Sequence, residues 1–237
     1  MSEIKSNYGH IQARVQEVAV RTGRDLADIL IVAVSKTQPV DRILEAYEAG
    51  IRDFGESYVQ EAIQKIDDPA LQLPDIRWHF IGHLQSNKVR FVEPRFQLIH
   101  SVDSVRLATE ISKRAAASGR VARILLEVKL DSRDTRAGIE PECAIKEALG
   151  AQALTGVRLE GLMGIAPYDP DLQAGARAET TRRAFHRLNS LFCQLPDACR
   201  QTLSMGMTGD YEIAIEEGAN LVRIGTALFG NRTYSGT

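Results

Sequence analysis

A lysine stands where the first apolar run of the chain gives way to a turn. Lys36 comes two residues after the aliphatic run Ile29–Val34 and directly before Thr37, Gln38 and Pro39. If the run is a buried strand, the Lys36 ammonium lies at the rim of an apolar interior. Desolvation there favours the neutral amine, which is a nucleophile toward carbonyl compounds. Position alone favours a lysine that simply reaches water, so its chemistry depends on what lies beside it.

Glycine and hydroxyl residues cluster at two later junctions. The segment 204–209 joins an apolar run to a helical pattern, and a second junction follows Arg223 at the end of the next run. The residues that could bind an anion there are Ser204, Gly206, Gly225 and Thr226. Each loop alone fits ordinary turn and capping chemistry, whereas two adjacent loops favour a phosphate site. A carbonyl-reactive lysine beside a phosphate site is typical of pyridoxal 5′-phosphate (PLP) binding.

Short apolar runs alternate with helical patterns along the chain, which is typical of a parallel α/β fold. We predict eight strands, at Ile29–Val34, Ile51–Phe54, Arg77–Ile81, Leu98–Val102, Arg123–Val128, Arg158–Met163, Thr202–Met205 and Leu221–Gly225. Eight strand–helix units in about 200 to 250 residues match a (β/α)8 barrel. In such a barrel the functional residues gather where strands end, which is where Lys36 and both glycine loops lie.

Between the strands the apolar period changes to that of a helix. The apolar faces are Val40, Ile43, Leu44 and Tyr47 in one helix, Leu107, Ala108, Ile111 and Ala115 in a second, and Phe185, Leu188 and Leu191 in a third. Gly50 stops the first helix, and Asp103 is the predicted cap of the second, which Gly119 ends. The segment Gly164–Gly175 is the longest irregular stretch, and we predict that it forms a lid.

The last predicted strand has no helix after it, but an amphipathic stretch precedes the first strand. Its apolar residues are Ile11, Val15, Val18 and Ala19. We predict a single (β/α)8 TIM-type barrel over residues 1–237, with this extra N-terminal helix closing the ring. A doubly wound open sheet is the alternative, because periodicity does not distinguish a closed sheet from an open one.

The composition excludes several classes of protein. The net charge of −2, from 29 basic and 31 acidic side chains, gives no global field toward nucleic acid or anionic membranes. The longest aliphatic run is far shorter than the roughly 20 residues of a membrane-spanning helix, and the N-terminus shows no secretory signal. Three cysteines without paired spacing, Cys143, Cys193 and Cys199, indicate a reducing cytoplasm.

Other chemistry-bearing residues favour structural interpretations. His79 and His83 straddle a strand end rather than share a helix face, so we predict no metal site, although His83 could line the barrel mouth. The carboxylate pairs have spacings that do not place them together, and they are Glu56 with Glu61 and Glu216 with Glu217. A basic cluster on a helix fits a solvated face, and it comprises Arg177, Arg182, Arg183 and Arg187.

Five segments resemble the YggS/PROSC family of PLP homeostasis proteins, in the same order along nearly the whole chain. They are residues 33–37, 54–61, 78–88, 203–210 and 222–230. The resemblance implies the PLP-binding barrel shared with the N-terminal domain of alanine racemase. It implies a Schiff base on Lys36, a phosphate site at Ser204, Gly225 and Thr226, and Arg223 facing the pyridine nitrogen.

Two positions depart from the family pattern. Many members have asparagine where this chain has Ser57, near the cofactor ring, and many have lysine where it has Arg136. Arginine at position 136 does not offer the second amine that a lysine there could provide.

The resemblance and the residues together predict a carrier that buffers or delivers PLP to apoenzymes. Carbanion chemistry on PLP works best with a protonated pyridine nitrogen, which the permanent cation of Arg223 opposes. We also expect no second domain to supply an acid or base on the other face of a substrate, because the chain stops twelve residues after Gly225. The alternatives are a PLP-dependent amino-acid racemase or lyase, and a Schiff-base aldolase that uses Lys36 without a cofactor. With no heptad seam on the helices, we expect a monomer.

Overall fold

In a computed structural model, which describes residues 2–131 and 137–230, eight parallel strands form a closed barrel in chain order. The strands are β1 Leu30–Val34, β2 Asp53–Glu56, β3 Arg77–Phe80, β4 Leu98–Val102, β5 Ala122–Val128, β6 Val157–Gly164, β7 Thr202–Ser204 and β8 Leu221–Ile224. The ring closes where β8 pairs with β1. The predicted (β/α)8 barrel is confirmed, and the open-sheet alternative is wrong. That one domain spans all of 1–237 stays a prediction.

Helices surround the barrel. The α-helices among the described residues are α1 Glu3–Arg21, α2 Val40–Glu48, α3 Val59–Ile66, α4 Val89–Val92, α5 Val105–Ala117, α6 Ala144–Gln152, α7 Ala174–Cys193, α8 Tyr211–Glu216 and α9 Thr226–Phe229. Short 3₁₀ helices cover Leu26–Asp28, Pro69–Leu71, Ser86–Lys88, Pro141–Cys143 and Asp197–Cys199. No helix in residues 2–131 or 137–230 combines the length and apolarity needed to cross a bilayer.

Strand ends follow backbone pairing rather than hydrophobicity, which moves some predicted boundaries. Prediction placed the second strand at Ile51–Phe54, but β2 runs from Asp53 to Glu56. Its polar last residue is level with Phe80 of β3, and the pairing with β1 extends to Gly55. The ladder therefore continues beyond the apolar residues and carries a carboxylate to the carboxyl end of the barrel.

The predicted cap of α5 is also one residue off. Ser104, not Asp103, caps the helix, because the Ser104 side chain accepts a hydrogen bond from Leu107 N at 3.3 Å. The Asp103 carboxylate instead accepts a hydrogen bond from Ser104 Oγ at 3.0 Å. Ser104 caps the first turn of α5, and Asp103 in turn binds the Ser104 hydroxyl.

The expectation that no helix follows the last strand is wrong, because the four-residue helix α9 follows β8, and the N-terminal helix packs against it. Helix α1 contacts α2, α8 and α9, and Asn7 Nδ2 donates to Leu228 O in α9 at 3.0 Å. Arg14 forms an ion pair with Glu212 of α8 at 2.7 Å. The expectation that α1 closes the ring of helices is confirmed by these contacts.

The barrel interior is lined by a small apolar cluster and by polar side chains above it. The cluster draws one residue from each of five strands, namely Val32, Leu98, Leu125, Met163 and Leu221. The alternation of a strand puts Arg223 on the same inner face of β8 as Leu221, and His100 on the same face of β4 as Leu98. Both polar residues are buried. The interior therefore changes from apolar to polar toward the carboxyl ends of the strands.

Candidate functional site

Lys36 lies in a tight turn at the carboxyl end of β1. Ser35 N donates to Gly55 O at 3.0 Å, and Gln38 N donates to Ser35 O at 3.0 Å, so the chain reverses around Lys36. Thr37 has a φ of 64°, which is left-handed backbone that β-branched residues avoid. Such a conformation costs on the order of 1–3 kcal/mol and persists only where surrounding contacts impose it. The Lys36 side chain is half-buried.

Those contacts come from a buried ion cluster beneath the turn, formed by Glu56, Glu61 and Lys65. Lys65 Nζ donates to Glu56 Oε1 at 2.8 Å, to Glu61 Oε1 at 2.6 Å and to Ser35 O at 2.7 Å. Glu61 Oε1 also accepts from Thr37 N at 2.5 Å. The cluster is thus tied to the residues on both sides of Lys36, and it fixes the direction in which the turn leaves the strand.

The prediction that Glu56 and Glu61 lie apart is wrong. Glu56 ends β2 and Glu61 lies in the first turn of α3, and the strand-to-helix junction brings both carboxylates onto Lys65. Burial raises the pKa of Glu56, and Lys65 opposes that rise. Glu56 Oε1 accepts from Ser35 Oγ at 2.7 Å, while Oε2 has no hydrogen-bond partner. Both carboxylates thus bind the Lys65 ammonium that supports the lysine turn.

On the other side of the same barrel edge, Arg223 lies inside the barrel on β8. Its Nη1 donates to Ser204 Oγ at 2.5 Å, and its Nη2 donates to Gly164 O at 3.0 Å. Burial lowers the pKa of Arg223 to about 10. That value still leaves the guanidinium charged at neutral pH. The structure therefore gives the Ser204 hydroxyl an arginine partner, which sequence reasoning did not predict; the roles of Ser204 and Arg223 in binding stay predictions.

The loop after β7 requires glycine at position 206. Gly206 has a φ of 91°, and a Cβ there would lie 2.6 Å from Ala214 Cβ and 2.9 Å from Tyr211 Cα. Its carbonyl accepts from Arg223 N at 3.0 Å. Only glycine combines this backbone conformation with so close an approach of α8.

The loops after β7 and β8 contact each other. Ala227 N donates to Thr208 Oγ1 at 3.3 Å, which joins the two loops. Within the described part of the chain, the backbone N–H groups of Gly225 and Thr226 have no protein acceptor. Thr226 is exposed and Gly225 is half-buried. Free N–H groups and an exposed hydroxyl at one edge form the kind of cradle that binds phosphate.

The closure of the barrel brings this cradle beside the lysine turn. β1 and β8 are neighbours, with Ala33 level with Ile224. A Cβ placed on Gly225 would lie 3.5 Å from Val34 Cβ, in ordinary contact. Lys36 and Gly225 thus follow adjacent strands at the same edge of the barrel, although Gly225 comes 189 positions after Lys36 in the chain.

Ser57 and His83 follow β2 and β3 at the same edge. Gly82 packs so closely on Ser57 that a Cβ would lie 2.0 Å from Ser57 O, which fixes the two loops against each other. His83 is exposed, and its Nδ1 lies 3.9 Å from Asp103 Oδ2. The roles of Ser57 and His83 in binding stay predictions, and Arg136 lies outside the described residues.

A cavity of about 440 Å³ adjoins the loop after β7. It lies between Met207 and Asp210 on one side and the segment between β6 and α7 on the other. Arg177 holds that segment, since its Nη2 donates to Leu172 O at 2.8 Å and its guanidinium lies 5.1 Å from the Tyr168 ring. Burial raises the pKa of Asp210 at the cavity wall. The lid role of Gly164–Gly175 stays a prediction.

Sequence reasoning missed the partners of two buried histidines. His79 Nδ1 lies 3.0 Å from His100 Nε2, and His100 Nδ1 lies 3.0 Å from Ser204 Oγ. Because His79 and His100 lie 21 residues apart on different strands, a single sequence does not show that they are in contact. Among the described residues no three His, Cys, Asp or Glu side chains form a group that could hold a metal ion.

A lysine, two glycine-containing loops and a buried arginine thus lie together at one edge of the barrel. The chain matches the family model described as alanine racemase, N-terminal domain, over residues 5–233, and it belongs to that family. Three solved alanine racemase structures at 15–16% identity have TM-scores of 0.69 to 0.74 and share the fold, with this chain covering 57–61% of them.

Closer relatives place the chain more narrowly within that family. It is 42% identical over 234 residues to the pyridoxal phosphate homeostasis protein of Pseudomonas aeruginosa, covering 99% of this chain and 98% of the relative. It is 36% identical to the protein of that name from Escherichia coli K12, covering 99% of each. The structure of PipY from Synechococcus elongatus with PLP bound is 37% identical, with a TM-score of 0.80, covering 96% of this chain and all of PipY.

Proposed function

We propose that this chain binds PLP for intracellular PLP homeostasis, holding it as a Schiff base on Lys36 and buffering or delivering it. The observation that carries the proposal is the adjacency of the Lys36 turn and the Gly225 loop across the β1–β8 seam. PLP supplies an aldehyde and a phosphate within one small molecule. An amine and an anion cradle at one edge of a barrel match those two groups.

The residues at this edge fit the group. The N–H groups of Gly225 and Thr226, which have no acceptor among the described residues, would donate to phosphate oxygens. Gly206 keeps the loop after β7 close to them, because it allows a conformation that a larger residue would not. We infer that the phosphate lies against these loops, near the exposed hydroxyl of Thr226, while Ser57 and His83 line the opposite side of the mouth.

Arg223 supports a carrier rather than a catalyst. Since it is buried and its pKa is about 10, a fixed positive charge would face the pyridine nitrogen and oppose its protonation. PLP stabilises carbanions best when that nitrogen is protonated, so the arginine withholds the electron sink that racemisation uses. We infer that turnover of amino acids is not the role of this site.

The test of binding is the reaction of Lys36 with PLP. We expect purified protein incubated with PLP to develop the visible absorbance of a protonated Schiff base, and borohydride reduction to fix about one cofactor per chain on the peptide that contains Lys36. Lys36→Ala should abolish both signals, whereas Lys113→Ala, at an exposed position on α5, should leave them unchanged. A protein that never takes up PLP would favour the aldolase alternative instead.

The carrier role has a separate test. We expect the loaded protein to transfer PLP to a cofactor-free PLP enzyme, and not to exchange the α-hydrogen of alanine for deuterium faster than free PLP does. Exchange well above that background would favour the racemase alternative, which the shared fold with alanine racemases motivates. The three free cysteines fit a reducing compartment, and we propose a monomer that acts in the cytoplasm.

A further inference from the structure

A line of buried polar side chains crosses the barrel interior from Arg223 to the opposite edge. Arg223 Nη1 lies 2.5 Å from Ser204 Oγ, which lies 3.0 Å from His100 Nδ1. His100 Nε2 lies 3.0 Å from His79 Nδ1, and His79 Nε2 lies 2.9 Å from Asp53 Oδ1. All five residues are at most 4% exposed. They come from five strands, so closing the barrel is what brings them together.

The chemistry of the two end groups fixes the direction of the hydrogen bonds between them. A guanidinium only donates and a carboxylate only accepts. Because Ser204 Oγ accepts from Arg223, its own hydrogen is free to go to His100 Nδ1. His100 then carries its hydrogen on Nε2 and donates to His79 Nδ1, and His79 donates from Nε2 to Asp53. Every donor and acceptor along the line is matched in this single order.

The charge states of His100 and Asp53 agree with this order of hydrogen bonds. Burial, together with the neighbouring His79 and Arg223, holds the pKa of His100 well below its usual range, so this ring is neutral. Burial would raise the pKa of Asp53, but hydrogen bonds from Arg77 and His79 outweigh it and lower the value. Asp53 therefore stays an acceptor. Arg77 Nε, which donates to Asp53 Oδ1 at 2.8 Å, anchors the far end of the line.

We propose that His79 and His100 are positioning residues for Arg223, acting through Ser204, and that the Ser204 hydroxyl hydrogen points into the barrel rather than at a phosphate. In this arrangement Ser204 is occupied by Arg223 on one side and by His100 on the other. The phosphate then depends on the backbone of Gly225 and on Thr226. The inference rests on the proposed function for the identity of the ligand, but the order of the hydrogen bonds is a property of the protein alone.

The first experiment tests that order without any ligand. Nitrogen-15 NMR of the imidazole rings in cofactor-free protein, assigned with His79→Gln and His100→Gln, reports which ring nitrogen carries hydrogen. We expect hydrogen on Nε2 and a bare Nδ1 in both rings at pH 7.5, as the order of the hydrogen bonds requires. A hydrogen on Nδ1 of His100 would overturn the proposal, because Ser204 would then accept from the histidine. This outcome is independent of whether PLP binds.

The second experiment separates the two ends of the ligand, using PLP and pyridoxal, which lacks the phosphate. Thr226→Val should weaken PLP binding roughly tenfold, as expected for a lost hydrogen bond to a charged group, and leave pyridoxal unchanged. Ser204→Ala should weaken PLP and pyridoxal by the same factor, because it loosens Arg223 rather than the phosphate loops. If Ser204→Ala weakens only PLP, Ser204 is a phosphate ligand and the positioning role is wrong.

The third experiment is a double-mutant cycle. If Ser204 and His100 act through Arg223, then Ser204→Ala and His100→Gln should have no further effect on pyridoxal binding in an Arg223→Gln background. Effects that simply add would contradict the proposal. Circular dichroism and the unfolding midpoint of each variant show whether it folds. If wild-type protein binds neither PLP nor pyridoxal, the proposed function fails, whereas the NMR result still decides the order of the line.

Discussion

The two sides of the barrel mouth are held by different interactions. On the β1–β2 side, the Lys36 turn rests on the ion cluster of Glu56, Glu61 and Lys65. On the β7–β8 side, Arg223 rests on hydrogen bonds to neutral groups, Ser204 and a backbone carbonyl. The first arrangement fixes a strained backbone turn, and the second fixes the plane of one guanidinium.

The difference follows from what each side must hold. A turn with a left-handed threonine needs a strong anchor, and a buried ammonium with three acceptors provides one. The hydrogen-bond partners of the Arg223 guanidinium are a hydroxyl and a backbone carbonyl, while the carboxylates of Asp210 and Glu127 act on its charge and oppose the lowering of its pKa by burial. We therefore expect the Lys36 side to lose stability when a charged group of its ion cluster is removed. We expect the Arg223 side to lose stability when His100 is protonated.

Removing the Lys65 ammonium should have the largest effect. Lys65→Met leaves two carboxylates facing each other, one of them fully buried, and breaking a buried ion pair in this way costs about 3–5 kcal/mol. Urea unfolding at pH 7.5 measures the loss. Lys113→Met, on an exposed part of α5, is the matched control. Adding Glu56→Gln to Lys65→Met should recover part of the stability, and equal costs for the two lysine variants would contradict the role of the cluster.

Lowering the pH should have the second-largest effect, because it destabilises the Arg223 side of the barrel mouth. The pKa of His100 is lowered by burial from 6.5, so below about pH 6.5 the unfolded chain binds a proton that the native state does not. The free energy of unfolding should then fall by up to about 1.4 kcal/mol per pH unit from this residue. Urea unfolding between pH 7.5 and 5.5 measures the slope.

The matched control for that slope is a histidine outside the barrel. His10 is exposed on α1, so His10→Gln serves as the comparison variant, while His100→Gln should make the wild-type slope shallower. If His100→Gln and the wild-type protein lose stability in parallel over this pH range, the neutral state of His100 does not contribute to the pH dependence.

The contact between the loops after β7 and β8 should give the smallest effect. Thr208→Val removes the hydroxyl that accepts from Ala227 N at 3.3 Å, which should cost about 1 kcal/mol. Hydrogen exchange of the Ala227 amide should become faster, with little change at the Lys36 turn on the other side of the mouth. Thr208→Ser keeps the acceptor and should behave as wild type. Unchanged exchange at Ala227 in Thr208→Val would show that the loops are joined by other contacts.

Much of the fold was predictable because each barrel strand is a short apolar run with a helical pattern after it. For β4 the predicted and observed bounds coincide at Leu98–Val102, because apolar residues stand at both ends of the paired segment. β2 departs because its pairing with both neighbours continues over Gly55 and Glu56. Hydrophobicity marks which residues a strand buries, but backbone pairing decides where it ends.

The candidate site was predictable only in part. The positions of Lys36 and of both glycine loops follow from the rule that functional groups gather at the carboxyl ends of strands. The contact between His79 and His100 depends on the register of β3 against β4. His79 is level with Leu98, and His100, two positions after Leu98, lies on the same inner face of the barrel. Lys65 reaches Glu56 only through the angle between β2 and α3. A single sequence states neither the register nor that angle.

Helix α1 links the beginning of the chain to the segment that follows β8. The carbonyl of Leu228, in the helix that directly follows Gly225, accepts a hydrogen bond from Asn7, 221 positions earlier. Shortening the chain from its N-terminus would therefore release α9 and loosen Thr226. In an assay that measures only cofactor retention, such a truncation would be indistinguishable from a mutation in the binding site.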